Sequence, residues 1–406
     1  MKHRYIFSLL AAFCALLFSC QKNPPRSSAV SLTLALRSGL YADVVKSCLA
    51  DFEIQNDVLC AVQEYSEDDL HKKLLEDSGA IDLCMADSSW AAELFSRSLL
   101  TPLDETGFFL DDDIIEATKV ACYSDGTLYL APYYGNVTVL LYNKFIVKEA
   151  GFSSEEIRSI DDFLEICRFS NKRHNLGFMY RGDTANNIVV DFLPVLLSFG
   201  GWVVDSQNRP TVDTPQFARA TKAYIELIKT GRDAKKDDLV AAIANKAAAM
   251  GVGWPGWYTP TRNSSMDYLA ISGKSSAEAI PFNANIYGIW TIGIPSSSKH
   301  KILAAKLLSH LMDSAIQRET VFKGGVPCRY SSLKDEEVLK KFPQYKIILS
   351  ALESGVYRPA MQEWSAFYTI LGAHLKRIFA EEISVEEGLL AAENELNEML
   401  GIEKKE

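Results

Sequence analysis

Metal-binding spacing is missing from this chain: its 6 histidines and 8 cysteines include neither an HExxH run nor a CxxC pair. A zinc site, structural or catalytic, therefore has no support. There is no P-loop and no GxSxG elbow either, which removes the usual signs of nucleotide hydrolysis and of a serine nucleophile. Gly251-Val252-Gly253-Trp254-Pro255-Gly256 fits GxGxxG. However, Trp254 and Pro255 put bulk and a missing N–H where a phosphate cradle needs open backbone donors, so no cofactor is expected. Positive charge is also short, with 42 basic against 52 acidic side chains and a net charge of -10. That balance argues against nucleic acid as a partner. Past the N-terminus, no apolar run reaches membrane-spanning length without a charge in it.

The N-terminus itself is distinctive. Lys2 and Arg4 precede an apolar run from Tyr5 to Phe18 that stops at Ser19-Cys20. A basic start, a short apolar stretch and a small residue at the cut describe a secretory signal over residues 1–19. Leu17-Phe18-Ser19-Cys20 resembles a lipobox, although Phe18 departs from the usual small residue. Cys20 is then the expected lipidation site, and the polar, proline-containing stretch 20–28 the expected tether to a membrane. The cysteines beyond Cys20, namely Cys48, Cys60, Cys84, Cys122, Cys167 and Cys328, mostly sit within apolar stretches and are expected as free core thiols.

Nearly half the residues are apolar, and a chain of 406 exceeds what one core usually holds, so two domains are expected. Val30, Leu32, Leu34 and Leu36 alternate with smaller or polar residues in the period of a strand. A turn follows at Gly39, then Leu40, Val44, Cys48 and Phe52 recur at helical spacing. A β-rich run at Val58–Val62, a helix start at Ser66-Glu67-Asp68-Asp69 and another apolar run at Ile81–Met85 complete a strand-helix-strand-helix-strand order. This implies an α/β protein with parallel strands. Ligands of such sheets bind beyond the carboxyl ends of the strands, which points to Arg37 and Ser38 after the first strand and Asp87 after the third. Ser159 and Thr214 cap two later helices, and Gly231 is placed to close the second in a left-handed conformation. Asp111-Asp112-Asp113 reads as a solvated loop or helix start rather than a catalytic pair.

The order of segments resembles the family 1 extracellular solute-binding proteins of ABC importers, the group containing the maltose-binding protein. The run Asp82–Trp90 followed by Gly126–Tyr133, then Leu141-Tyr142-Asn143-Lys144 with Glu149-Ala150-Gly151, is similar to that family's first half. Phe199-Gly200-Gly201-Trp202, Ala247–Met250 before Gly253-Trp254, Ile292-Gly293-Ile294-Pro295, Gly325-Val326-Pro327 and Tyr357-Arg358-Pro359 continue it in family order. The resemblance implies a two-lobe periplasmic-binding-protein type II fold with a ligand cleft between the lobes, and a monomer that docks on permease subunits. The expected lobes are 29–135 plus 286–325 and 136–285 plus 326–406, with crossings near Asn136, Asn285 and Gly325.

Aromatic supply narrows the ligand to a sugar or oligosaccharide, whose apolar C–H faces stack on rings while its hydroxyls need a few directed polar groups. Trp254 and Trp257 lie in a Gly- and Pro-rich loop, Tyr133 lies beside Asn136 at the first crossing, and Trp90 and Trp364 fall in segments the family uses for its cleft. Gly201, Arg358 and Tyr368 complete the candidate contacts, whereas Trp290 and Trp202, flanked by apolar residues, are expected in the core. Arg37 and Arg358 leave a sugar acid open. Two other readings share the signal: a secreted glycan hydrolase with paired carboxylates across a cleft, and a surface adhesin that needs no cleft.

Overall fold

The computed structural model describes residues 30–76, 79–258, 264–273 and 282–402; the signal segment, Cys20 and the tether lie outside the described residues. Two five-stranded sheets are built from β1 (Val30–Arg37), β2 (Val58–Tyr65), β3 (Leu83–Asp87), β4 (Leu130–Tyr134), β5 (Val139–Asn143), β6 (Phe178–Tyr180), β7 (Arg232–Asp233), β8 (Met250–Gly253), β9 (Met266–Leu269) and β10 (Trp290–Gly293). The first sheet has the order β2-β1-β3-β10-β4, with β1 parallel to β2 and β3 and β10 antiparallel to both its neighbours. The second runs β9-β5-β8-β6-β7, parallel through β8-β6-β7 and antiparallel around β5. Each sheet is thus interrupted by one strand entering late in the chain or from the other lobe.

Helices cover the sheets: α1 (Leu40–Lys46), α2 (Leu49–Asn56), α3 (Glu67–Leu75), α4 (Ile160–His174), α5 (Ala185–Ser198), α6 (Pro215–Ile228), α7 (Lys236–Ala244), α8 (Tyr345–Ser354), α9 (Trp364–Phe379) and α10 (Val385–Met399). The single helix expected from Leu40 to Phe52 is two, because Cys48 leaves the helix and starts α2. Strand β1 keeps its alternation only at the start. Leu34, Ala35 and Leu36 are all fully buried, as befits a strand covered on both faces, and each leucine contributes about 1.5–3 kcal/mol of transfer free energy.

The caps form as expected. Ser66 Oγ accepts from Asp69 N at 3.2 Å, Ser159 and Asp162 make a reciprocal capping box, and Thr214 Oγ1 accepts from Phe217 N at 3.3 Å. Gly231 has a different role from the one expected: it is not left-handed, and a Cβ there would sit 1.7 Å from the carbonyl oxygen of Phe178, so glycine is required by close approach to β6. The acid run also does more than meet water. Asp111 and Asp113 accept from Nη1 of the buried Arg329, anchoring it in the first lobe.

Three chain crossings lie side by side between the sheets. Thr138 N donates to Ile286 O at 2.8 Å, Gly288 N to Asn136 O at 2.9 Å, Tyr287 N to Val356 O at 2.9 Å and Val356 N to Asn285 O at 2.8 Å. The third crossing therefore runs through Val356 and not through Gly325, which correction moves a lobe boundary. Val326, Leu333, Val338, Tyr345, Ile348 and Leu352 bury their side chains in the same core as β1 and β3, so residues 326–354, α8 included, belong with the first lobe. Helices α9 and α10 instead pack on α5 and α6 in the second core. There, a Cβ on Gly372 would come within 2.6 Å of Ala185, which shows how tightly α9 lies on α5.

Candidate functional site

A cavity of about 390 Å³ opens between the lobes, within the range of small-molecule sites. The first lobe contributes Arg37, Ser38, Tyr41, Glu67, Asp87 and Trp290; the second contributes Arg181, Asp183, Asn186, Asn187, Lys235, Lys236, Trp254 and Trp257; the crossings contribute Asn136, Gly288 and Arg358. The logic is the same in both lobes. Arg37 and Asp87 end parallel strands of the first sheet, while Arg181, Lys235 and Trp254 follow β6, β7 and β8 of the second. Carboxyl ends of parallel strands carry the site on each side.

Of the residues singled out from the sequence, Arg37, Ser38, Asp87, Asn136, Trp254, Trp257 and Arg358 are brought together here. The other five do not line the cavity. Trp90 lies one layer behind it, stacked on His71 with ring centres 4.6 Å apart and set edge-on to Trp290 at 5.5 Å. Tyr133 is buried, its hydroxyl unpartnered among the described residues. Gly201 donates its N–H to Leu196 O at 3.1 Å and helps close the end of α5. Trp364 is buried in the second core against Phe367. Tyr368 pairs its hydroxyl with Ser365 at 3.0 Å, close enough to Glu67 and Arg358 to feel their charges but outside the lining.

Trp290 lies in the core, as expected, and also reaches the cavity. Only 3% exposed, it nevertheless forms part of the cavity wall and packs on Tyr41 at 5.5 Å. The polar residues of the second lobe went unseen because β6 is three residues long, too short to show a period. In the sequence, Glu67 stands out only as part of the helix start at Ser66-Glu67-Asp68-Asp69.

The site is dense in charge and mostly self-matched. Arg358 Nη2 donates to Asp87 Oδ1, joining the third crossing to the first lobe. Arg181 is clamped by Asp191 through Nε at 3.1 Å and through Nη2, and its guanidinium lies 4.8 Å from the ring centre of Trp257, covering one face. Asn186 Nδ2 donates to Glu67 Oε1 at 3.1 Å, a bond between the two lobes. Burial pushes the Glu67 carboxyl above its ordinary range, with the Asp87 charge adding to the shift and Arg358, Arg37 and Arg181 opposing it. Burial likewise raises the Tyr41 phenol to about 12, and that hydroxyl accepts from Asn136 Nδ2 at 3.3 Å. Trp254 stands over Gly288, where any Cβ would approach its ring to 2.7 Å.

The glycines of the GxGxxG run serve packing. A Cβ on Gly251 would meet Met179 O at 2.6 Å, one on Gly253 would meet the Leu141 side chain at 2.6 Å, and one on Gly256 would meet the Tyr134 hydroxyl at 2.6 Å.

Two sheet-based lobes, three crossings and a polar, tryptophan-bearing cleft between them define a hinged binding protein. The chain belongs to the bacterial extracellular solute-binding proteins, whose family model matches residues 48–346. It is 22% identical over 364 residues to the arabinooligosaccharide-binding protein of Bacillus subtilis, covering 83% of this chain and 81% of that one. It is 22% identical over 253 residues to a probable amino-acid ABC transporter periplasmic-binding protein of Sinorhizobium fredii, covering 61% and 58% respectively. The chain thus spans less than two thirds of the length of that relative. A solved solute-binding protein from Thermotoga lettingae bound with alpha-D-tagatose superposes with a TM-score of 0.80 at 21% identity, covering 92% of this chain and all of the other. The fold is accordingly the two-lobed type II periplasmic-binding-protein fold.

Proposed function

We propose that this chain captures a sugar or short oligosaccharide outside the cytoplasm, closes around it, and delivers it unchanged to the permease subunits of an ABC importer. The observation that carries this reading is the cleft itself: Trp254, Trp257 and Trp290 line one cavity with hydrogen-bonding groups from both lobes. Rings for C–H faces and directed polar groups for hydroxyls are what a saccharide requires. Its volume of about 390 Å³ suits one or a few sugar rings rather than a long glycan. The relatives support the same reading, since one curated relative is described as binding an arabinooligosaccharide and the superposed structure holds a ketohexose.

Chemistry on the ligand is not part of the proposal. Asp87 is engaged by Arg358 and Glu67 by Asn186, so the two cleft carboxyls of the first lobe are held as binding groups. Incubation of the purified protein with labelled mono- and oligosaccharides tests this. Saturable binding with the sugar recovered intact supports a receptor, whereas turnover or the absence of any bound saccharide overturns it.

Anchoring by a lipid on Cys20 and action as a monomer complete the proposal. Among the described residues no helix is long and apolar enough to cross a membrane; the lipid reading rests on the lipobox-like Leu17-Phe18-Ser19-Cys20, whose two acyl chains would give stable attachment. Cys20→Ser is expected to abolish fatty-acid incorporation and release the protein from the detergent phase. A variant that still takes up labelled fatty acid would remove the lipobox reading.

A further inference from the structure

We infer that the solute is an acidic saccharide and that Arg37 receives its carboxylate. The inference rests on the saccharide reading above and deepens it. Three guanidinium groups enter the cavity, and two of them are already matched: Arg358 by Asp87, Arg181 by Asp191. Arg37 is different. Its Nη1 donates to Ser38 Oγ at 2.8 Å and to Ser38 O at 3.4 Å, both neutral acceptors on the next residue. Its Nε, like that of Arg358, is buried with no acceptor, but among the described residues no carboxylate forms an ion pair with Arg37, whereas Asp87 pairs with Arg358.

The charges facing Arg37 do not cancel it. Asp87 is spent on Arg358. Asp183 lies on the exposed rim, where it accepts from Asn187 Nδ2 at 2.7 Å and from Thr184 N at 3.0 Å. Glu67 lies near enough to Arg37 for their charges to interact, and its Oε1 accepts from Asn186 Nδ2 at 3.1 Å. Lys235 and Lys236 stand on the facing rim, the latter 3.6 Å from Asp237. Among the lining side chains five cations, Arg37, Arg181, Arg358, Lys235 and Lys236, face three carboxyls, Glu67, Asp87 and Asp183, and Arg37 carries a planar fork that matches a carboxylate in two parallel hydrogen bonds. Asn136, 4% exposed and with its Oδ1 unpartnered, offers a neutral acceptor in the same cavity for a hydroxyl of the same solute.

The test is a matched panel measured by thermal shift and calorimetry: glucuronate, galacturonate and their disaccharides against glucose, galactose and the corresponding neutral disaccharides, with free amino acids as a third arm. The acidic members should bind about tenfold or more tighter than their neutral counterparts. Arg37→Gln should remove most of that preference, read as the ratio of acidic to neutral affinity in the same variant, and Arg37→Lys should keep part of it because charge remains but the fork is lost. Equal affinity for acidic and neutral saccharides overturns the inference and leaves the saccharide reading standing. A preference that survives intact in Arg37→Gln, with the variant's far-UV spectrum unchanged, overturns the role of Arg37. Binding of amino acids with no saccharide bound overturns the saccharide reading and this inference together.

Discussion

At the scale of single residues, Trp254 has two duties that a substitution will expose separately. It is 8% exposed, so its ring is part of the packing around Gly288, and it also walls the cavity. Trp254→Ala is expected to weaken saccharide binding by about 1–3 kcal/mol, roughly 5- to 150-fold, and to lower the melting temperature of the ligand-free protein. Gly288→Ala leaves the tryptophan in place but drives a methyl to 2.7 Å of its ring, so affinity should fall through displacement alone. Calorimetry on both variants decides the matter: unchanged affinity in either would remove the ring from the ligand. Glu67 gives a pH signature. Its pKa in the folded, closed form is raised, mainly by burial, so its contribution to stability is fully present below the unfolded value, about 4.3, and is lost as pH rises through the higher folded value. Glutamine at 67 mimics the protonated acid and can still accept from Asn186. Glu67→Gln should therefore melt like the wild type in acid and become progressively more stable than it toward neutrality. A difference that stays flat between about pH 4 and 8 would show that Glu67 is not so perturbed.

At the scale of elements, the hinge depends on a few buried polar contacts. Asn285 is fully buried and donates through Nδ2 to Thr138 O, tying the second crossing to the first. Asn285→Ala leaves that carbonyl short of a donor and should cost about 1–3 kcal/mol, read as a lower urea midpoint at unchanged slope. A midpoint equal to that of the wild type would mean the crossings are not held there. The crossings also show what a sequence can and does not reveal. The sequence expects a third crossing at Gly325-Val326-Pro327 because its turn chemistry looks like a linker. In the fold Gly325 is there for contact: a Cβ would lie 2.6 Å from Thr320 Oγ1, and its carbonyl accepts from Tyr345 Oη at 2.6 Å. The parallel strands of the first lobe are readable because β1 and β2 each run for eight residues, and α3 because it begins with the capping residue Ser66. Half the site is not, since Arg181 and Lys235 follow strands of three and two residues whose places are set only by pairing with β8 and β6. Trp90 and Trp364 were misjudged for a related reason: a tryptophan's position along the chain does not tell which side of a wall it fills.

At the scale of the whole molecule, the lobes meet across the cleft. Asn186 of α5 donates to Glu67 of α3, and Gly256, in the loop after β8, lies against the hydroxyl of Tyr134 in the first lobe. This is the geometry of a closed cleft, and a hinge of three short crossings permits an open one. Solution scattering should therefore give a smaller radius of gyration at saturating ligand than without it, because a ligand that touches both lobes binds the closed form better and shifts the population toward it. Gly256 provides the control that separates closure from simple binding. A β-branched side chain at 256 would put its Cβ 2.6 Å from the Tyr134 hydroxyl, and that ring is buried and donates at 2.9 Å to Gly324 O, so it has little room to yield. Gly256→Val acts as a wedge between lobes that each stay folded. It should weaken affinity, since closure is then paid out of binding, and it should abolish the contraction on adding ligand. If the variant still contracts like the wild type, the contact between Gly256 and Tyr134 is not part of closure. If neither protein contracts at saturation, binding is not coupled to hinge motion in this molecule.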